Sequence, residues 1–162
     1  MNTQRLKLAV TTLVATGLIL AGATGCSSAD DAKDAGQTLQ GYQEAVLDLG
    51  APTLKGISNR STLKQREPDI AKLVDLDAST DAGVASSMKF FFVMKGLTEG
   101  ASLRYEVDPT QINVDGSTAS VPDKALGLYI AGKKDLPAST SDDTKYRLNK
   151  INGKWLVVLD DK

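Results

Sequence analysis

The spacing of apolar residues changes near residue 100, and this change constrains the fold more than any other feature of the sequence. Before it, apolar residues recur every three or four positions, beginning with Leu39 and Tyr42, as in amphipathic helices. After it, they alternate with polar residues, beginning with Leu103, Tyr105 and Val107, as in half-buried strands. A group of helices followed by a group of strands predicts an α+β fold.

The first predicted helix has its polar residues on one side: Gln40, Gln43, Glu44 and Asp48. It is expected to end at Gly50, and short helical segments are expected after Pro52 and Pro68. Residues 59–67 are polar and are predicted to be irregular. Residues 84–97 form the densest apolar stretch and are predicted to be a helix buried on most sides, although a buried strand at 90–94 remains an alternative.

The second half of the chain predicts a curved antiparallel sheet of four to five strands wrapped over the N-terminal helices. Asp115-Gly116 is a hairpin signal of type I′, and Asn152-Gly153 is a second one. Pro109 is expected to kink the strand region after Val107. A loop at 132–143, rich in Lys, Pro, Ser and Asp, separates the last hairpin from the preceding strands.

The composition excludes several kinds of chemistry. The chain of 162 residues contains no histidine and one cysteine, so imidazole bases, His-containing metal sites and internal disulfides are excluded. Its formal net charge of −1 argues against a nucleic-acid partner. We expect no cofactor and no metal. A calcium loop at Asp75, Asp77 and Asp81 is disfavoured, because the Gly and Glu of such loops are missing.

The N-terminus is typical of a secretory signal peptide. Arg5 and Lys7 precede an uncharged apolar run at residues 8–23, which is shorter than the roughly 20 residues that span a bilayer. The following segment, Ala23-Thr24-Gly25-Cys26, resembles the lipobox of bacterial lipoproteins, although the family most often has Leu where this chain has Ala23. The alternative is an ordinary cleavage site at Ala21-Gly22-Ala23 and a freely secreted chain.

The lipobox resemblance implies acylation of Cys26 and cleavage of residues 1–25. The chain is then expected on the extracytoplasmic face of the cell membrane, anchored by its acyl chains. Residues 26–36 are small, polar and acidic, and are predicted to be a flexible, lipidated tether. A single domain is expected at 37–162.

Several segments together resemble the NTF2-like (cystatin-like cone) superfamily. They are the N-terminal helices, the hairpin at residues 114–121, and the closing pair at 146–148 and 152–158. More narrowly, the chain is similar to small envelope lipoproteins and low-molecular-weight secreted antigens of actinobacteria. The resemblance implies a cone-shaped cavity between helices and sheet, which different relatives use for catalysis, binding or assembly.

An enzyme of this fold would need a carboxylate facing the cone, as in relatives that isomerise or dehydrate. The inward strand positions are predicted to be Leu103, Tyr105, Val107, Leu126, Leu128, Ile130, Tyr146 and Leu148. No carboxylate is among them, and Glu106 would face inward only if the strand register slipped by one residue. We therefore expect a protein that is not an enzyme.

Two functions remain at this stage. In the first, the cone is filled and the domain is an interaction or assembly module that binds another envelope protein or its own copy. In the second, the cone holds an apolar, lipid-like ligand. Its predicted lining is Met88, Phe91, Phe92, Tyr105, Leu128 and Tyr146. An apolar cavity of roughly 300 Å³ or more would favour the ligand, and a packed interior would favour the interaction module.

Overall fold

A computed structural model describes residues 28–98, 101–134 and 141–160. It confirms the α+β fold, with helices first and antiparallel strands second. The helices are α1 (Ser28–Asp48), α2 (Ala51–Gly56), α3 (Arg60–Arg66), α4 (Pro68–Ala71) and α5 (Asp81–Leu97). The strands are β1 (Leu103–Val107), β2 (Asn113–Asp115), β3 (Thr118–Pro122), β4 (Leu126–Ile130), β5 (Lys133–Lys134), β6 (Thr144–Ile151) and β7 (Lys154–Val158).

The strands form two antiparallel sheets, whereas the sequence predicts one. The sheets have the orders β1-β4-β5 and β2-β3-β6-β7. Short 3₁₀ helices at Pro109–Gln111 and Asp123–Ala125 separate the strands of one sheet from those of the other. Pro109 and Pro122 lie at these interruptions, and proline cannot donate a hydrogen bond to a neighbouring strand. The predicted kink at Pro109 is therefore where the chain leaves one sheet for the other.

One of the two predicted hairpin turns has the predicted type I′ geometry, and the other is of a different type. Asn152 and Gly153 both have positive φ values, 50° and 78°, as a type I′ turn requires. In the other hairpin, Asp115 pairs with Thr118, so that Gly116 and Ser117 form the turn. Gly116 has a φ of 58° and occupies the first turn position, where type II′ turns favour glycine.

Residues 81–97 are helical throughout, so the helix is confirmed and the strand alternative at 90–94 is wrong. Thr80 begins α5, because its side-chain oxygen accepts a hydrogen bond from the Gly83 amide at 2.9 Å. Val84, Met88 and Phe91 form the buried side of the helix. Their spacing of four and three residues places them on one face.

The predicted irregular segment 59–67 contains α3, which corrects that prediction. Asn59 and Thr62 form a reciprocal capping box: Asn59 Oδ1 accepts from the Thr62 amide at 2.8 Å, and Thr62 Oγ1 accepts from the Asn59 amide at 3.0 Å. Leu63 is fully buried and attaches the helix to the core. A single apolar residue is too weak a periodic signal for a helix to be predicted.

The predicted flexible tether at 26–36 is also corrected, because α1 begins at Ser28. Ala32 and Ala35 are buried, and Ala35 is 0% exposed. A Cβ on Gly36 would lie 3.3 Å from Ile112 Cδ1, so the helix approaches the strands closely at this point. The same small side chains that offer little apolar area allow this close packing. The folded domain therefore includes residues 28–36.

The core lies between α1, α5 and the two sheets. Its largest fully buried side chains include Tyr42, Phe91, Leu39 and Leu148. Lys95 of α5 donates hydrogen bonds to the carbonyls of Leu47 (2.6 Å) and Leu49 (2.7 Å), which lie at the end of α1. Carbonyls at a helix end lack intrahelical partners, so this lysine satisfies two of them. Within the described residues, no helix is long and apolar enough to cross a membrane.

Candidate functional site

A groove opens to solvent between α5 and the strands β6 and β7. Its volume is about 340 Å³. The residues lining it are Gly83, Ser86, Ser87, Phe90, Thr144, Lys145, Tyr146, Val158, Leu159 and Asp160. We call it the α5–β6 groove. It combines hydroxyl groups and charged side chains with two aromatic rings, those of Phe90 and Tyr146, so it offers both hydrogen bonds and apolar contact.

Two residues of the groove, Ser87 and Tyr146, belong to a polar cluster that extends into the core and also contains Tyr42, Gln43 and Tyr105. The Ser87 hydroxyl lies 2.8 Å from the Tyr42 hydroxyl. Gln43, the next residue of α1, is 0% exposed, and neither atom of its amide has a hydrogen-bond partner of normal geometry. The hydroxyl of Tyr105 is also buried without a partner. Buried polar groups without partners are costly, so this cluster is a strained part of the core.

The tyrosines of the cluster stay protonated at neutral pH. Burial raises the pKa of Tyr42 and of Tyr105 well above the ordinary value of 10.0, and the nearby Tyr146 raises both further. Burial also raises the pKa of Tyr146, and the Asp123 carboxylate adds to this rise, whereas the Gln43 amide opposes it. Desolvation disfavours the charged phenolate. These hydroxyls can therefore donate hydrogen bonds but are poor nucleophiles and poor bases.

Of the six residues predicted to line a cone cavity, Tyr146 alone lines the α5–β6 groove. Met88 and Phe91 are fully buried, and Phe91 packs edge-on against Tyr42 and Tyr105, with ring centroids 6.4 and 6.0 Å away. Phe92 is partly buried, and the Lys55 ammonium lies 4.7 Å from its ring centroid. Leu128 pairs with Tyr105 across β4 and β1. Met88, Phe91 and Tyr105 therefore belong to the buried core, and Phe92, Leu128 and Tyr146 pack against it while partly exposed.

Sequence reasoning missed Gln43, Ser87 and Phe90. Gln43 was predicted on the solvent side of α1, but the structure buries it completely. Phe90 belongs to the apolar run that was predicted to be core, yet it is 40% exposed. The pair Ser86-Ser87 inside that run was a usable signal, since two hydroxyls in a buried helix need polar neighbours.

The predicted register of the strands holds at Tyr105 and Glu106. Tyr105 is buried, whereas Glu106 lies on the opposite side and forms an ion pair with Arg104 at 2.8 Å. The register therefore does not slip, and Glu106 does not face the core. Alternation along a strand places neighbours on opposite faces.

The aspartates at 75, 77 and 81 do not converge on one point. Asp75 is buried and accepts hydrogen bonds from Asn149 Nδ2 (2.8 Å) and the Ala78 amide (3.1 Å). Asp81 pairs with Arg60 at 2.9 Å. In the part of the chain that the structure describes, no group of three or more His, Cys, Asp or Glu residues could hold a metal ion.

A row of apolar side chains is exposed along α5. Phe90, Val93 and Leu97 are 40%, 44% and 73% exposed. They follow one another at intervals of three and four residues, so they lie on one face of the helix. We call this row the α5 ridge. Phe90 also lines the α5–β6 groove, so the ridge and the groove form one continuous surface.

The predicted signal peptide at 1–25 and the acylation site at Cys26 lie outside the described residues. So do residues 135–140 of the loop at 132–143. Comparison of the chain with known protein families, with curated proteins and with solved structures finds no match. The lipobox and NTF2-like resemblances therefore stay predictions.

Proposed function

We propose that the protein is a membrane-anchored extracytoplasmic lipoprotein whose domain is a non-catalytic interaction module. Its acyl chains are attached to Cys26. Its binding surface is the α5 ridge, and its partner is a second copy of the same chain. The observation that carries the proposal is the ridge itself, since apolar side chains are seldom left in such an exposed row without a partner.

The spacing of the ridge favours another helix as its partner. The three residues of the ridge, Phe90, Val93 and Leu97, are separated by three and four residues. This is the a/d spacing of helices that pack side by side. A second copy of α5 presents the same row, and two-fold symmetric pairs are the commonest oligomers. Chains anchored in one membrane also meet at a raised effective concentration.

The chemistry of the groove supports binding rather than catalysis. Its tyrosine has a raised pKa, and the hydroxyl of Ser87 lies beside the protonated Tyr42 rather than beside a base. Asp160, a carboxylate of the groove, is held by Arg147 in an ion pair. A nucleophile needs an adjacent base or a lowered pKa to be activated.

The anchor is tested by expressing the full chain in a bacterial host and measuring the intact mass of the membrane-bound product. A mass that corresponds to cleavage before Cys26 and added acyl chains is expected. Cys26→Ser is the control, and its product should lose both the added mass and the membrane association. An unacylated chain released into the medium would overturn the lipoprotein proposal.

The ridge is tested by cross-linking and by sedimentation of the acylated chain in micelles and on vesicles. Val93→Glu places a charge in the middle of the ridge and should abolish the dimer. Gln65→Glu adds the same charge at an exposed position of α3 and should leave the dimer intact. A monomeric unsubstituted chain, or equal effects of the two variants, would contradict self-association, and capture of a defined second protein would identify a different partner.

A second candidate function is the binding of an apolar, lipid-like ligand. The volume of the α5–β6 groove, about 340 Å³, supports it, because this reaches the size of small-molecule sites. Two observations argue against an apolar ligand. Phe91 is packed in the core, and the groove is lined by several hydroxyl groups. Native mass spectrometry of the protein from its own membrane tests it, and a co-purifying lipid would support the carrier.

A further inference from the structure

We infer that one end of the domain rests directly on the bilayer, and that the turn between β6 and β7 faces the lipid headgroups. This end comprises Ser28, Ile151, Asn152, Gly153 and Lys154, and we call it the anchor end. The inference rests on the proposed acylation of Cys26. In this arrangement no flexible tether separates the domain from the membrane, and the domain itself contacts the bilayer.

Very little chain separates the proposed anchor, Cys26, from the first helix. Cys26 and Ser28 are two residues apart, so their Cα atoms are separated by at most about 7 Å. Helix α1 begins at Ser28, and its second turn is already packed, with Ala32 and Ala35 buried. Too little chain remains to hold the start of α1 away from the acyl chains.

The start of α1 is held against the strands of the larger sheet. Asp31, in its first turn, forms an ion pair with Lys150, and the two side chains are only 15% and 25% exposed. The Lys150 amide also donates a hydrogen bond to the Ser117 carbonyl at 2.7 Å. Ser117 belongs to the turn between β2 and β3, so this turn lies next to Lys150. Both turns therefore lie beside the start of α1. A membrane that holds Cys26 meets these turns as well.

The β6–β7 turn exposes one apolar and one basic side chain. Ile151 is 41% exposed, and Lys154, which pairs with it across the turn, is exposed as well. An isoleucine beside a lysine suits the interface, where the apolar side chain enters the headgroup region and the lysine stem extends toward water or anionic lipid. One lysine near an anionic surface contributes about 1 kcal/mol. The acidic Asp31 is neutralised there by Lys150.

The opposite end of the molecule provides an internal reference. Helix α1 has 21 residues and is about 30 Å long. Near its far end, Glu44, Asp48, Arg104 and Tyr129 line a common hollow. Tyr129 therefore lies far from the anchor end, whereas Trp155 pairs with Lys150 next to it. Trp155 is the chain's single tryptophan, and it provides a natural fluorescent donor.

The experiment measures energy transfer to a dansyl-labelled lipid from the acylated full chain on phosphatidylglycerol-containing vesicles. Transfer from Trp155 is compared with transfer in the double variant Trp155→Phe/Tyr129→Trp, which moves the donor to the far end. We expect several-fold more transfer from Trp155. A flexible Gly-Ser linker of about twelve residues inserted before Ser28 adds roughly 20 Å of reach and should remove most of the difference.

Hydrogen exchange on the unsubstituted acylated chain provides a second measurement. It needs no substitution at Trp155 or Tyr129, so a folding defect of the double variant cannot affect it. Vesicle binding should slow exchange in peptides that cover 150–155 and leave those covering 126–134 unchanged. The Cys26→Ser chain, mixed with the same vesicles, is the control and should show no protection.

The outcomes separate this inference from the proposed function. An acylated chain with equal transfer from the two donor positions, or without protection at 150–155, overturns the orientation and leaves the lipoprotein proposal standing. An unacylated chain overturns both. Preferential transfer from Trp155 together with protection of the turn supports the anchor end as the membrane-facing surface.

Discussion

The Tyr42 hydroxyl and Ser87 Oγ are 2.8 Å apart and join α1 to α5 across 45 residues of chain. The Tyr42 ring is fully buried and lies edge-on to Phe91, one turn further along α5. A single residue therefore connects the two long helices by a hydrogen bond and by aromatic packing. Ser87 also lines the α5–β6 groove, so the link between the helices forms one wall of the candidate site.

We expect Tyr42→Phe to lower the free energy of unfolding by about 1 kcal/mol, because the Ser87 hydroxyl loses its partner at a part-buried position. Ser87→Ala should cost a similar amount. The double variant should cost less than the sum of the two, since it leaves no unpaired hydroxyl. Urea unfolding of the four proteins measures this coupling, and strictly additive costs would show that the bond contributes nothing.

Gln43→Met should stabilise the protein by about 1 kcal/mol, because it replaces a buried amide that lacks hydrogen bonds of normal geometry by an apolar side chain of similar size. Gln40→Met is the matched control on the same helix. Gln40 donates to Glu44 at 2.9 Å on the exposed side of α1, so its loss should change stability little. If Gln43→Met were strongly destabilising in thermal or urea unfolding, the amide would have a hydrogen-bonding role in solution.

Two glycines of α5 should respond to alanine in opposite directions. A Cβ on Gly83 would overlap the Leu159 carbonyl and lie 2.7 Å from the Asp160 Cα, so Gly83→Ala should cost about 1–3 kcal/mol. A Cβ on Gly96 would meet nothing within 4 Å, so Gly96→Ala should stabilise by about 0.5 kcal/mol. Equal shifts in the midpoints of urea unfolding would argue against the close approach of α5 to the end of β7.

The buried tyrosines predict a loss of stability in alkali. The pKa of Tyr42 and of Tyr105 is higher in the folded chain than the ordinary 10.0, so the unfolded chain releases these protons first. The free energy of unfolding should therefore be unaffected below about pH 10 and should fall as the pH rises above it. Tyrosinate absorbance and near-ultraviolet circular dichroism, followed together against pH, measure this.

Tyr105→Phe should make that alkaline decline shallower, because one buried hydroxyl no longer needs to ionise on unfolding. Tyr129→Phe is the comparison and should change the decline less. The pKa of Tyr129 is also raised, mainly by its hydrogen bond to Glu106, but its side chain is not in the buried core. Full tyrosinate absorbance near pH 10 with unchanged circular dichroism would show that the cluster is open to solvent.

The fold class was predictable because its signals are local. Each strand alternation and each long helical stripe is a property of a few neighbouring residues, and Gly153 marks a turn that needs a positive φ. The helix at 59–66 and the packed start of α1 were not predictable, because capping by Asn59 and the small size of Ala35 act only in a particular tertiary setting. The division of the strands into two sheets likewise depends on which distant strands pair.

In the candidate site, too, some features could be predicted from the sequence and others could not. Tyr146 was predicted to line a cone cavity and instead lines the open α5–β6 groove, and the absence of histidine limited the available chemistry from the start. Gln43 and Phe90 were assigned to the wrong side of their helices, because both polar and apolar residues can occupy a helix face that is half covered. The side that each residue takes depends on the neighbouring elements.

The sequence alone therefore determined the order of helices and strands, the exclusion of imidazole chemistry and internal disulfides, and the single cysteine on which the lipobox prediction rests. The tertiary structure decided that Met88, Phe91 and Tyr105 pack in the core, that α5 leaves an apolar ridge exposed, and that α1 starts two residues after Cys26. The physical reason is that periodicity and composition are properties of short segments of chain. Burial and exposure are properties of surfaces that distant segments form together.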